Sequence, residues 1–311
     1  MTTRLTWRSH PHPSGWQETP ASPVWAGSVA VGIDGSQVSR AALLWAVDEA
    51  HLRRSPLEIV HVHAPQSAGK GADHQCCDDL LAEAAQAASS RRPSVAVTTQ
   101  LLGGQVRDEL IRLTGTAALL VLGVDRTKSP AAHGALGAIE NRVAVHARCP
   151  VVLVSRPPEL SAKPSGVVVG WSGSEVSQIA LAAAAAEASM RRASLSVVTA
   201  NPVRSLAAQS RTVPPDRADV LRAVTDIERA YPRVSVTLHY LDAEAVESLV
   251  REARPTDLMV VGSHTSADPI SIRTGPVATA VMLQAPCPVM LVGQLVADTA
   301  NNLAYTRPVG P

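Results

Sequence analysis

One segment of the chain occurs twice, and no other feature constrains the fold as much. Residues 29–50 read VAVGIDGSQVSRAALLWAVDEA, and residues 167–188 read VVVGWSGSEVSQIALAAAAAEA. Gly32 and Gly170 lie the same interval apart as the pairs Cys149-Pro150 and Cys287-Pro288 near the other end of each half, so two independent anchors define one internal repeat. In each copy a short apolar run ends at a glycine, a Gly-Ser pair follows, and an alanine-rich segment with helical spacing comes next. That is strand, tight loop, helix. Ser36 and Ser174 stand where a hydroxyl can accept a hydrogen bond from the first unpaired helix amides.

A chain of 311 residues, 46% hydrophobic and 18% charged, can build two domains with a core each. Its net charge of +1 supplies no field to gather nucleic acid or an anionic membrane, so neither is expected as a partner. No segment approaches the roughly 18 uninterrupted apolar residues of a membrane span. Residues 1–27 carry Arg4 and Arg8 but no apolar core of a secretory signal, and read as a disordered leader. Of four cysteines, two are repeat equivalents and two are the adjacent Cys76-Cys77, which is no extracellular disulfide framework. A cytoplasmic location is expected.

Strand and helix patterns alternate along both halves. In the first, apolar runs at 57–62, 95–102, 117–124 and 151–154 read as strands, and 78–92, 106–113 and 138–147 as helices, with 63–75 a loop. In the second, strands are expected at 167–171, 195–200, 234–241, 257–262 and 288–292, and helices at 175–190, 215–230, 244–253 and 276–284. Strands alternating with helices mean a parallel sheet covered on both faces. The expected fold class is α/β: two tandem doubly wound five-stranded parallel sheets. Val31, Val60, Leu120, Val121, Val152, Val168, Val197, Val260 and Leu291 are the expected core positions. The final apolar strands, 151–154 and 289–292, are expected at sheet edges where they pair or pack. Long polar loops bounded by glycines, 123–137 and 262–275, follow the central strand of each half, at the edge where open α/β sheets take ligands.

Several reactive-looking motifs are incomplete. SAGKGA at 67–72 resembles a phosphate loop, but Ala64 and Gly71 stand where that motif needs Gly and Ser or Thr. In DHQCCDD, His74, Cys76, Cys77 and Asp78 have no distant partner motif to complete a metal site, and the segment reads as a polar loop entering a helix. GWSGS at 170–174 falls short of a nucleophile elbow because Ser174 replaces the required glycine. Cys149 and Cys287 read as small buried hydrophobes, with a redox role as the alternative.

VAVGIDGS with SRAALLWA, HV at 61–62, LVLGV at 120–124 and ARCPVVLV at 147–154 together resemble the universal stress protein domain, here in tandem. The resemblance implies an adenine-nucleotide alpha-hydrolase-like fold, stress-response roles in the cytoplasm and dimer formation. It also implies ATP as the ligand of some members, held by an Asp after the first strand, a backbone group ending the second, and a loop of pattern Gly-x2-Gly-x9-Gly-Ser/Thr. Glycines let amides turn inward, and the closing pair sets amides and a hydroxyl on phosphates at a helix N-terminus. In the first half Asp34 and Gly104 match and Val62 can supply the backbone group. The loop opens at Gly123, has Arg126 for its second glycine, and closes at Gly137-Ala138, one residue late and without the hydroxyl. The second half has Ser172 for the acid, Ala243 for Gly104, Thr265 for the second glycine and Gly275-Pro276 at the close. Arg126, Lys128 and His133, and in the second half His264 and Arg273, can pair with phosphate or stand as solvated loop cations.

The domain boundaries expected are 28–156 and 165–293, with a linker at 157–164 and a tail at 294–311. The expected function is a noncatalytic stress-response protein that binds ATP through Asp34, Val62, Gly104, Gly123, Arg126, Lys128, Gly137 and Ala138, with a degenerate second half and no metal. A homodimer or an intramolecular pseudo-dimer is expected. The alternative is a nucleotide-free dimeric scaffold or chaperone-like module.

Overall fold

Apolar runs between turns form the strands of the computed structural model, which describes residues 27–63, 73–125, 138–155, 166–200, 216–241, 243–253, 258–263 and 275–296. The described residues fall into two units. The first contains β1 (Val29–Gly32), α1 (Gln37–Arg53), β2 (Leu57–His63), α2 (Asp73–Arg91), β3 (Val97–Gly103), α3 (Val106–Leu113), β4 (Leu119–Gly123), α4 (Ala138–His146) and β5 (Val151–Val154). Within it the strands run in the order β3-β2-β1-β4-β5, and every neighbouring pair is parallel. The outer strand β3 is the most solvated, with Thr98, Thr99 and Gln100 exposed, whereas β1 and β4 are buried along nearly their whole length. That contrast is what a doubly covered sheet with a polar edge requires.

The second unit repeats the sequence of elements: β6 (Val167–Gly170), α5 (Glu175–Arg191), β7 (Leu195–Ala200), α6 (Arg217–Ala230), β8 (Val236–Leu241), α7 (Ala245–Glu252), β9 (Leu258–Ser263), α8 (Pro276–Gln284) and β10 (Val289–Gly293). Its order is β8-β7-β6-β9-β10, with the pairs β6–β7, β7–β8 and β6–β9 parallel. The Met259 amide donates to the Pro288 carbonyl at 3.0 Å, as Leu120 does to Pro150 at 3.1 Å in the first unit. Every core position expected from the sequence is at most 1% exposed.

The repeat-equivalent helices α1 and α5 are built alike at both ends. Ser36 caps α1 by accepting from the Ser39 amide, and Ser174 caps α5 by accepting from the Ser177 amide. Each helix ends on an arginine in the left-handed conformation, Arg54 at φ 54° and Arg192 at φ 53°, whose amide closes the last turn. Each also carries a sequestered ion pair one turn before that end. Glu49 and Arg53 meet at 2.6 Å with side chains 3% and 8% exposed, and Glu187 pairs with Arg191 at exposures of 1% and 8%.

One local reading changes. DHQCCDD lies in the first turns of α2, which begins at Asp73, rather than in a loop. The buried stripe of that helix is Cys77, Leu81, Ala84 and Ala88, so Cys77 acts as the first apolar residue of a helical face. Cys149 and Cys287 are 2% and 7% exposed, and burial pushes the Cys149 thiol up to about 12. A thiol held protonated at neutral pH is a packing group, not a nucleophile.

Candidate functional site

The first unit's chain turns to β2 and β3 on one side of β1 and to β4 and β5 on the other, so a crevice opens at the carboxyl ends of β1 and β4. What lines it follows from the turn after β1. Gly35 adopts φ 81°, which lets the chain reverse directly into α1. Asp34 then accepts from the Ser36 amide at 2.9 Å, while its own amide donates to the Ser39 hydroxyl oxygen at 3.3 Å. Ser39 in turn donates through its hydroxyl to the Ser36 carbonyl at 3.0 Å and through its amide to the Ser36 hydroxyl at 3.2 Å. Partial burial raises the Asp34 pKa, but the hydrogen bonds from the Ser36 hydroxyl and amide and from Ser39 outweigh it and hold the carboxyl below the usual range. Asp34 is a fixed, ionised acceptor at neutral pH.

The end of β2 is pinned to this turn. His61 Nδ1 lies 2.8 Å from the Ile33 carbonyl oxygen, and because a carbonyl only accepts, Nδ1 carries the hydrogen. On the other side Gly123 ends β4 against the first turn of α1. A Cβ there would lie 2.4 Å from the Val38 carbonyl carbon and oxygen and 2.6 Å from the Ser39 nitrogen. Gly123 therefore serves backbone packing as well as bordering the crevice.

A cavity of about 140 Å3 occupies the crevice, bordered by Asp34, His61, Val62, Gly123 and Glu140 over a floor that includes Val60 and Leu122. Of the residues expected from the sequence, the structure brings together Asp34, Val62 and Gly123. Gly104 does not border the cavity. Its φ of 147° and its place beside the Glu109 side chain account for it locally, at the entry to α3. Ala138 is the first residue of α4, while Arg126, Lys128 and Gly137 lie outside the described residues, as does His133. His61 and Glu140 border the cavity and were not anticipated. Glu140 is the acidic residue in the first turn of α4. Burial pushes its carboxyl up, a hydrogen bond from its own amide pulls it down, and the charge of Asp34 adds to the rise.

The second unit rebuilds the same turn without the acid. Gly173 takes φ 80°, the Ser172 amide donates to the Ser177 hydroxyl oxygen at 3.3 Å, and Ser177 bonds to Ser174 as Ser39 does to Ser36. The side chain at 172 is a hydroxyl 3.1 Å from that of Ser174. In the repeat Trp171 stands for Ile33, Thr199 for His61 and Ala278 for Glu140; all three are buried. Thr265, His264 and Arg273 lie outside the described residues.

A larger cavity of about 340 Å3 lies in the second unit beside Ala188, Arg192, Tyr231 and Arg233. It sits where α5 and α6 end, at the amino ends of β7 and β8. Helix C-termini present carbonyls and repel anions, so this is the weaker candidate despite its size. Among the described residues no three His, Cys, Asp or Glu side chains converge as a metal site, and no helix is long and apolar enough to cross a membrane.

Comparison with known proteins agrees with this fold. The profile of the universal stress protein family matches residues 27–155 and again 166–293. A universal stress protein of Mycobacterium tuberculosis is 30% identical over 279 residues, covering 86% of this chain and 96% of its own length. A second from that organism is 29% identical over 256 residues, covering 78% and 90%. Among solved structures, a universal stress protein from Archaeoglobus fulgidus superposes with a TM-score of 0.69 at 16% identity, covering 86% of this chain and 98% of that one. At that identity the likeness speaks for the fold.

Proposed function

The chain belongs to the universal stress protein family, and on that premise we propose that it is a noncatalytic stress-response protein whose first half binds an adenine nucleotide while its second half is degenerate. One observation carries the reading: the ionised Asp34 carboxylate and the end of β2 at Val62 border one cavity at the strand divergence, and the repeat of that turn has Ser172 in place of the acid. Asp34 accepts from the ribose hydroxyls, and the Val62 backbone meets the base. Gly104 and Gly123 shape the turns that allow close approach. Arg126 and Lys128 pair with phosphate where the loop has lost glycine amides, and Gly137 with Ala138 presents the amides that open α4. ATP is the nucleotide that the family resemblance implies. Occupancy of this site is the signal in a cytoplasmic protein that acts as a dimer. Turnover has no support in the sequence, since the phosphate loop and the nucleophile elbow are each broken at a required residue.

Replacing Asp34 by alanine removes a charged acceptor whose hydrogen bonds contribute about 1.5–3 kcal/mol each. Calorimetric titration with AMP should therefore show Asp34→Ala binding about 10- to 100-fold more weakly than the wild type. An unchanged Kd would remove Asp34 from the site. Absence of binding to the wild type would favour the nucleotide-free scaffold, to which the depleted glycines of the loop also point.

A further inference from the structure

We infer that the second half carries a separate oxyanion site, built where α5 and α6 end, that takes a small phosphate ester. In the first half the equivalent place is closed by its own side chains. Asp48 of α1 accepts from Arg91 Nε at 3.0 Å and from Arg92 Nε at 2.8 Å at the end of α2, and His51 Nδ1 lies 3.1 Å from the Ser94 hydroxyl oxygen. The turn after α6 repeats the turn after α2: the Val234 amide donates to the Tyr231 carbonyl at 2.9 Å, as Val95 does to Arg92 at 3.1 Å. That match sets Ala186 for Asp48, Ser189 for His51, Ala230 for Arg91, Tyr231 for Arg92 and Arg233 for Ser94. The acid and one arginine have become alanine, and a cavity of about 340 Å3 stands beside them.

The charge at this cavity is positive. Arg192 and Arg233 border it, and among the described residues that border it there is no carboxylate. Arg192 is the left-handed residue whose amide closes α5 on the Ala188 and Ser189 carbonyls, so its backbone is fixed while the residue stays exposed, as Arg233 does. Two helix C-termini bring roughly half an elementary negative charge each, against a full positive charge on each guanidinium, so the balance favours an anion. Ser189 and Tyr231 add hydroxyls, and burial pushes the Tyr231 phenol up, which keeps it protonated at neutral pH. Donors from several groups suit a tetrahedral dianion better than a planar carboxylate, which one guanidinium fork can fill. The volume falls within the roughly 300–1,000 Å3 of small-molecule sites, and Ala188, Ala230 and Val234 supply an apolar wall for the carbon body of an ester.

Titration of the whole chain with glycerol 3-phosphate, followed through its amide NMR signals, tests this. The amides of residues 189–193 and 233–234 should shift saturably with the ester and not with glycerol. Arg233→Ser, which installs the first-half residue, and Ser189→Asp, which returns an acid to the cavity, should each weaken binding about tenfold, whereas Asp34→Ala should leave it unchanged. Positions 189 and 233 are both exposed, so neither variant disturbs the core. Shifts confined to the Asp34 crevice, or a Kd that either second-half variant leaves unchanged, overturn the site. The same shifts with glycerol overturn its charge selectivity, and citrate bound there as tightly as the ester overturns its ligand class.

Discussion

Replacing Arg191 by methionine should lower the unfolding free energy by about 3–5 kcal/mol, the usual penalty for leaving one partner of a sequestered ion pair behind. Glu187 is 1% exposed, so its carboxylate would stay in the interior of the second unit without the guanidinium that pairs with it from the next turn. The physics also predicts a rescue. Exchanging both residues, Glu187→Leu with Arg191→Met, removes the charge together with its partner and should recover most of the loss, because desolvating the pair costs much of what the pair returns. Glu49 and Arg53 should behave the same way in the first unit, their exposures being nearly the same. Guanidinium denaturation reads the difference. A single variant within about 0.5 kcal/mol of the wild type would show that water or the remaining contacts satisfy the carboxylate once the guanidinium is removed.

Gly123→Ala should damage stability and ligand binding together. Its methyl would sit 2.4 Å from the Val38 backbone, and backbone in the first turn of a helix cannot step aside as a flexible side chain can. The start of α1 must move, which costs about 1–3 kcal/mol by analogy with overpacked cores. That segment carries Ser36 and Ser39, which hold Asp34 ionised and in place, so adenosine binding should fall by at least about tenfold even where the protein remains folded. Gly262→Ala is the matched control. Its methyl would meet the Val176 side chain at 3.0 Å and the Ser177 nitrogen at 3.2 Å. The clash is milder, and it disturbs a turn with no acid. Equal binding losses in the two variants, or none in Gly123→Ala, would contradict the coupling.

The sequence carries its information unevenly, and the reasons are physical. Strand and helix positions were legible because burial on both faces demands unbroken apolar runs and because the repeat supplies each element twice. The caps at Ser36 and Ser174 were legible because their chemistry is local. The sequestered pairs were not. Glu49–Arg53 and Glu187–Arg191 have the same four-residue spacing as the solvated pairs found on helix surfaces, and only the packing tells them apart. Glu140 escaped notice for a similar reason, since an acid in a first helical turn ordinarily complements the dipole and faces water. His61 lies within the apolar run of β2, and its role depends on the Ile33 carbonyl, a contact between strands that no local pattern encodes. The start of α2 is not legible in the sequence because, among the described residues of its first two turns, only Cys77 is buried.

One fold occurs twice in this chain, and on our proposal its ligand chemistry occurs once. The most direct measurement of that asymmetry is the stoichiometry of adenosine binding to the whole chain by isothermal titration, with Ser172→Ala measured beside Asp34→Ala. One site per chain, weakened about 10- to 100-fold by Asp34→Ala and left unchanged by Ser172→Ala, is the predicted result. Two sites per chain, or equal losses in the two variants, would contradict it.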